Sequence, residues 1–224
     1  MEKWSVETII AELQKHKNPA NVKGMARFGI NPKNTLGINI PTLRTFAKTI
    51  GKNHKLAIAL WKTNIHEARI LAGLIDEPKL VTEAQMDEWI ADFDSWDVCD
   101  LVCMNLFDNM PNAFAKAKEW TSHNYEFERR AGFALMAALA VHDKKATDGD
   151  FIRFFPLIEK YADDDRNFVK KAVNWALRQI GKRNPALCKR GLRVAETLKQ
   201  SESKSARWIG SDAFRELSLK KFNN

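Results

Sequence analysis

A five-residue pattern occurs twice, 41 positions apart: Phe127-Glu-Arg-Arg-Ala131 and Phe168-Val-Lys-Lys-Ala172. Each copy lies in a stretch patterned as a helix, and helix signals run through the whole chain while strand signals are nearly absent. The spacing predicts helices over 5–17, from Pro19 onward, and over 41–50, 54–62, 65–76, 82–92, 96–109 and 112–120. Longer ones are expected over 125–142, 150–162, 166–183, 185–200 and 204–218. Ser5 stands where a cap is needed, and Pro19 at the favoured first helical position. Pro111 and Pro185 fall where one helix stops and the next begins. Thr82-x-x-Gln85 predicts a reciprocal capping box. Residues 28–39 are rich in helix breakers and read as a loop, and Gly149 lies in a polar break over 143–150.

Many helices of 10 to 18 residues with short links favour stacked helix pairs. An offset of 41 falls in the range of HEAT and armadillo repeats, whose unit is a helix pair or triplet. The expected fold is therefore all-α, a curved α-solenoid of HEAT-like helical repeats forming one domain over 1–224. A compact helical bundle is the alternative.

Net charge narrows the partners. Of the formal +8, residues 151–224 hold 17 Lys/Arg against 8 Asp/Glu, whereas residues 1–150 hold 19 against 20. The excess is thus confined to the last third, a field suited to a polyanion such as nucleic acid or an acidic membrane surface. The longest apolar run, 131–141, is well short of the roughly 20 residues a membrane span needs. The opening Met-Glu-Lys-Trp-Ser has no apolar stretch of secretory type, so a cytoplasmic protein is expected. Three cysteines, Cys99, Cys103 and Cys188, are too few for a disulfide framework, have no histidine pair at metal spacing, and read as small buried apolar side chains.

Chemistry is concentrated in a few residues. Trp96 and Asp100 are four apart and share a helix face, and Trp175 lies in the basic helix Lys170-Lys-Ala-Val-Asn-Trp-Ala-Leu-Arg178. One carboxylate and two aromatic faces converging on a single cationic group could hold developing positive charge. Asp100 could equally be a carboxylate that stabilises its helix start through the dipole. Asp97, about 100° round the helix from Trp96, is expected to be structural, capping the helix or pairing with a cation. Lys171, Trp175, Arg178 and Lys182 are spaced 4, 3 and 4, one continuous face that suits a phosphate backbone. Arg129 and Arg130, at positions equivalent to Lys170 and Lys171 in the echo, could extend it. Long cations packed over an ordinary tryptophan would give the same spacing.

At these residues the chain resembles the AlkD-like DNA alkylation repair family, the HEAT-like alkylpurine DNA glycosylases. Met25-Ala-Arg-Phe28 followed by Leu36-Gly-Ile-x-x-Pro41 is similar to its N-terminal signature, and Ser95-Trp-Asp-Val-Cys-Asp100 to its central Trp-Asp-x-x-Asp motif. Phe127-x-x-Arg130-Ala131 resembles its next segment. Phe168-Val-x-Lys-Ala-x-x-Trp175-x-Leu-Arg178, then Asn184-Pro185, resembles its C-terminal signature. The resemblance implies excision of positively charged N3- and N7-alkylated purines from double-stranded DNA. It assigns the catalytic carboxylate to Asp100, the sugar-contacting tryptophans to Trp96 and Trp175, and a phosphate contact to Arg130. It also implies that the lesion need not be swung into a tight pocket, so that bulky adducts are tolerated. Two positions depart from the pattern: Phe28 stands where a tyrosine is familiar, and Ser95 where a second tryptophan can precede Trp96.

Two other classes fit the same chain. One is a DNA-binding solenoid without catalysis, and the other a HEAT-type scaffold for protein partners, which the basic face disfavours. No glycine-rich phosphate loop is present, so no cofactor is expected, nor is a metal. A monomer is the expected state.

Overall fold

The computed structural model describes residues 4–222. Met1 to Lys3, part of the opening read as free of a secretory leader, lie outside the described residues. The described chain is helical: α1 (Val6–Lys15), α2 (Pro19–Arg27), α3 (Ile40–Ile50), α4 (His54–Trp61), α5 (His66–Ile75), α6 (Glu83–Ala91) and α7 (Trp96–Asn105). After a 3-10 turn, Phe107–Asn109, come α8 (Ala113–Trp120), α9 (Glu126–His142), α10 (Asp148–Ile152), α11 (Phe155–Lys160), α12 (Asn167–Gly181), α13 (Pro185–Lys199) and α14 (Lys204–Ser218). None of the described helices is long and apolar enough to cross a membrane.

Contacts gather into two compact units, Met1–Met110 and Pro111–Asn224. In the first, α5 packs against α3, α4 and α7. Its core includes Trp61 stacked on Trp89, with ring centroids 3.9 Å apart and planes within 3°. In the second unit, α9 lies between α8 and α12, and α12 contacts α13 and α14. Every residue of α9 from Arg130 to Ala140 is buried. That explains the long apolar run in the sequence, since a helix covered on all sides has no polar face to interrupt it.

The echo is structural. α9 and α12 begin at equivalent positions and pack together, with the Phe127 and Phe168 rings 5.4 Å apart. Ala131 and Ala172 are both fully buried. Close approach elsewhere depends on glycine. A Cβ at Gly132 would lie 2.7 Å from the Thr121 nitrogen and 2.9 Å from the Ala117 carbonyl oxygen, both backbone atoms that cannot swing away. Gly132→Ala is therefore expected to destabilise the second unit by about 1–3 kcal/mol through overpacking of α8 on α9. Thermal or denaturant unfolding checks this, and an unchanged midpoint would show that the two helices can part without loss.

Four local expectations are corrected. The helix expected over 150–162 is two, α10 and α11, because Pro156 opens a new helix in its first turn and cannot continue the previous one. The helix expected over 96–109 stops at Asn105 and tightens into the 3-10 turn, with the Asn105 side chain donating back to the Leu101 carbonyl at 2.6 Å. At Thr82 only half of the capping box forms. Its hydroxyl accepts from the Gln85 amide at 3.1 Å, but the Gln85 side chain donates to the buried Asp76 carboxylate at 2.7 Å. Complete boxes occur at Ser5/Thr8 and Thr147/Asp150. Gly149 lies inside α10 rather than in a break.

Candidate active site

The Trp-Asp-x-x-Asp segment is the first turn and a half of α7. Ser95 precedes it in extended conformation and is fully buried. Its hydroxyl does not cap α7 but accepts from the Asn31 amide at 2.8 Å. Asp97 is held by two contacts. One carboxylate oxygen accepts from the Val98 amide at 3.0 Å, and the other meets His66 Nε2 at 2.9 Å. Asp97 is thereby buried, whereas Trp96 and Asp100, one turn apart on the other side, are each only partly buried. The Trp96 indole N–H donates to the Phe28 carbonyl at 3.1 Å, which fixes the ring against the loop after α2.

The first turn of α5 organises this region, and sequence reasoning missed it. His66 grips Asp97 through its ring and the Asn34 carbonyl through its amide, at 3.0 Å. Glu67, fully buried, accepts from three consecutive amides: Leu36 at 2.8 Å, and Gly37 and Ile38 at 2.7 and 3.2 Å. Gly37 has φ +84°, and a Cβ there would lie 2.2 Å from the Asn18 carbonyl oxygen. The Leu-Gly-Ile signature is thus a carboxylate-binding turn of backbone. Arg69 donates to the Asp92 carbonyl at 2.9 Å and lies over the Trp61 ring, 5.2 Å from its centroid. The available signal was the cluster His66-Glu67-x-Arg69 opening an otherwise apolar helix.

Burial works against a charged His66, but the hydrogen bond to Asp97 and the charges of Asp97, Glu67 and Asp94 outweigh it, so its pKa is raised above the ordinary 6.5. A raised pKa adds stability that is fully present below about 6.5 and is lost as pH rises through the folded value. Wild type should therefore lose part of its melting-temperature advantage over His66→Gln between pH 6.5 and 8.5. An advantage constant across that window would mean that His66 does not titrate there.

In the second unit the expected cations meet different fates. Arg129 donates to the Thr121 carbonyl at 3.0 Å, pairs with Asp164 at 2.7 Å and covers the Tyr161 ring. Burial would raise Asp164, but bonds from Arg166 and Arg129 prevail and hold it below the usual carboxylate range. Arg130 is 5% exposed and donates to the Phe168 carbonyl at 2.6 Å. Lys170 sits over the Trp208 ring, and Lys171 is exposed. Trp175 is partly buried in the middle of α12. Arg178 and Lys182 both bind Glu216 on α14, and Arg178 also approaches Asp212 at 3.6 Å. Burial pushes Glu216 up, but its bonds to Lys182 and Arg178 leave it lowered.

All three cysteines are buried and unbridged, as expected of small apolar side chains. Burial, with Cys99 alongside, pushes the Cys103 thiol well up, which suits an inert role. Among the described residues no group of three or more His, Cys, Asp or Glu is placed to hold a metal ion.

Residues 9–217 match the family model described as DNA alkylation repair enzyme. The chain belongs to that family. Two members of the wider set of curated proteins are similar over 128 residues at 26% identity: the uncharacterized proteins Lin0241 of Listeria innocua and Lmo0209 of Listeria monocytogenes. The match covers 55% of this chain and spans 57% of each relative, little more than half their length. A solved structure is similar over 99% of both chains, with a TM-score of 0.79 and 19% identity. It is described as from a new family of proteins related to the HEAT-like repeat DNA glycosylases, with affinity for branched DNA structures. That likeness shows the fold, an all-α architecture of HEAT-like repeats, as the sequence predicted.

Proposed function

We propose that this family member is an alkylpurine DNA glycosylase that hydrolyses the N-glycosidic bond of N3- and N7-alkylated purines in duplex DNA. The observation that supports it most is the division of labour in α7: Asp97 is committed to His66, while Asp100 shares a partly open face with Trp96. Alkylation at N3 or N7 makes the purine cationic and a good leaving group, so the base needs no protonation. As the bond breaks, positive charge develops on the sugar, an oxocarbenium-like state. Asp100, ionised, stabilises that charge and orients the attacking water. Trp96 offers a ring face to the deoxyribose, and Trp175, in the second unit, offers its own to the DNA bound there. Lys170, Lys171, Arg178 and Lys182 contact phosphates. Arg129 and Arg130, more deeply set, support the contacts from α9. No cofactor takes part, and the protein acts as a monomer in the cytoplasm.

The test is release of free alkylpurine from methylated duplex DNA, resolved by chromatography. Release by wild type is expected. A second reading, a DNA-binding protein without catalysis, is favoured by the structural neighbour with affinity for branched DNA. Salt-dependent binding with no release would select it.

A further inference from the structure

The charge tally over residues 1–150 conceals a second basic region. Residues 13–66 hold ten Lys or Arg and no Asp or Glu. Four of the ten, Lys17, Lys23, Arg27 and Lys33, flank or lie on α2 and its following loop, and all are exposed. α2 has no buried residue, and a side chain added at Gly24 would meet nothing within 4 Å. At its end Phe28 is 76% exposed. Beside it opens a groove of about 600 Å³, with Met25, Phe28, Ile30, Ile38, Ile40 and the Trp96 indole in its lining. Because the indole N–H is taken by the Phe28 carbonyl, the groove meets a ligand with apolar and aromatic surface rather than with a donor at that point.

Building on the DNA reading above, we propose that this part of the first unit seats an unstacked nucleotide. Its base lies on the Phe28 ring at the mouth of the groove, and Lys23, Arg27 and Lys33 neutralise the flanking phosphates. Aromatic stacking combined with a cationic track is the general physics of single-strand binding. The groove volume falls within the roughly 300–1,000 Å³ of small-ligand sites, enough for one base. An apolar partner would gain nothing from the exposed cations on and around α2, and an acidic peptide would not need a flat aromatic face. A base inside a duplex is already stacked, so the DNA must present an unpaired nucleotide, as at a flap, fork or bubble.

The test compares binding to a flapped DNA and to a fully paired duplex of the same length, by anisotropy, with 2-aminopurine at the first unpaired position. Wild type is expected to prefer the flap by about tenfold, the equivalent of one stacked base. Phe28→Ala should reduce that preference to about threefold or less, and abolish the fall in 2-aminopurine fluorescence. Since Phe28 is mostly exposed, the variant should melt with wild type. Equal affinity of wild type for both DNAs, or a preference that survives Phe28→Ala, overturns the nucleotide seat while leaving the glycosylase reading intact. Failure of wild type to bind any DNA removes both.

Discussion

Asp100→Asn is expected to release alkylpurine from methylated duplex DNA about 10²–10³-fold more slowly than wild type, in line with loss of one electrostatic stabiliser of a transition state. The amide keeps the size of the side chain and removes only its charge. Ground-state DNA is not cationic at the sugar, so binding should stay within about twofold, and the loss should appear in the single-turnover rate. Asp97→Asn, three residues earlier, should behave in the opposite way. It weakens a buried contact with His66 and should lower stability, while the rate per folded molecule holds at low temperature. Melting curves run beside the single-turnover assay separate the two effects. An Asp100→Asn protein that keeps more than about a third of the wild-type rate would remove this carboxylate from the chemistry.

The largest stability loss is expected at Glu67. Its carboxylate accepts from three buried backbone amides, and truncation strands all of them. Glu67→Ala should cost about 3–5 kcal/mol, since each buried unsatisfied donor costs about 1–3 kcal/mol and the loop relaxes only in part. That corresponds to a melting temperature lower by roughly 10 °C or more. Glu67→Gln, which keeps an acceptor but turns an amide N–H toward other N–H groups, should fall between. The loop over 28–39 should loosen first, so trypsin is expected to cut after Lys33 sooner than in wild type. A Glu67→Ala protein that melts with wild type and resists trypsin equally would show that the loop does not depend on this carboxylate.

The helices were legible because each buries one face, and burial writes its period into the sequence. The relation of α9 to α12 was legible for the same reason: two helices occupying equivalent places repeat Phe, a basic pair and Ala at the same offsets. What periodicity does not encode is partnership across many residues. His66, Glu67 and Arg69 read only as polar residues at a helix start, yet their partners lie at Asp97, at 36–38 and at Asp92, some 23 to 31 positions away. The Lys171 to Lys182 face was legible as a spacing, but the acids that meet Arg178 and Lys182 belong to a helix more than 30 residues further on. The basic tract over 13–66 escaped for an arithmetical reason, since averaging over 150 residues cancelled it against the acids that follow. Pro156 was visible, but the apolar residues around it carried the helix pattern across the break.

The shared grip of Arg178 and Lys182 on Glu216 bears on how this surface would exchange one anion for another. Cations bathed in solvent neutralise phosphates by displacing mobile salt ions, so each steepens the dependence of binding on salt. Arg178 and Lys182 carry a tethered counterion instead. A phosphate that reaches them must compete with a carboxylate held at fixed, high local concentration, and it sets free a charge that cannot diffuse away. If that surface binds DNA as proposed, its affinity is thereby tempered, and its salt dependence undercounts the cations that line it.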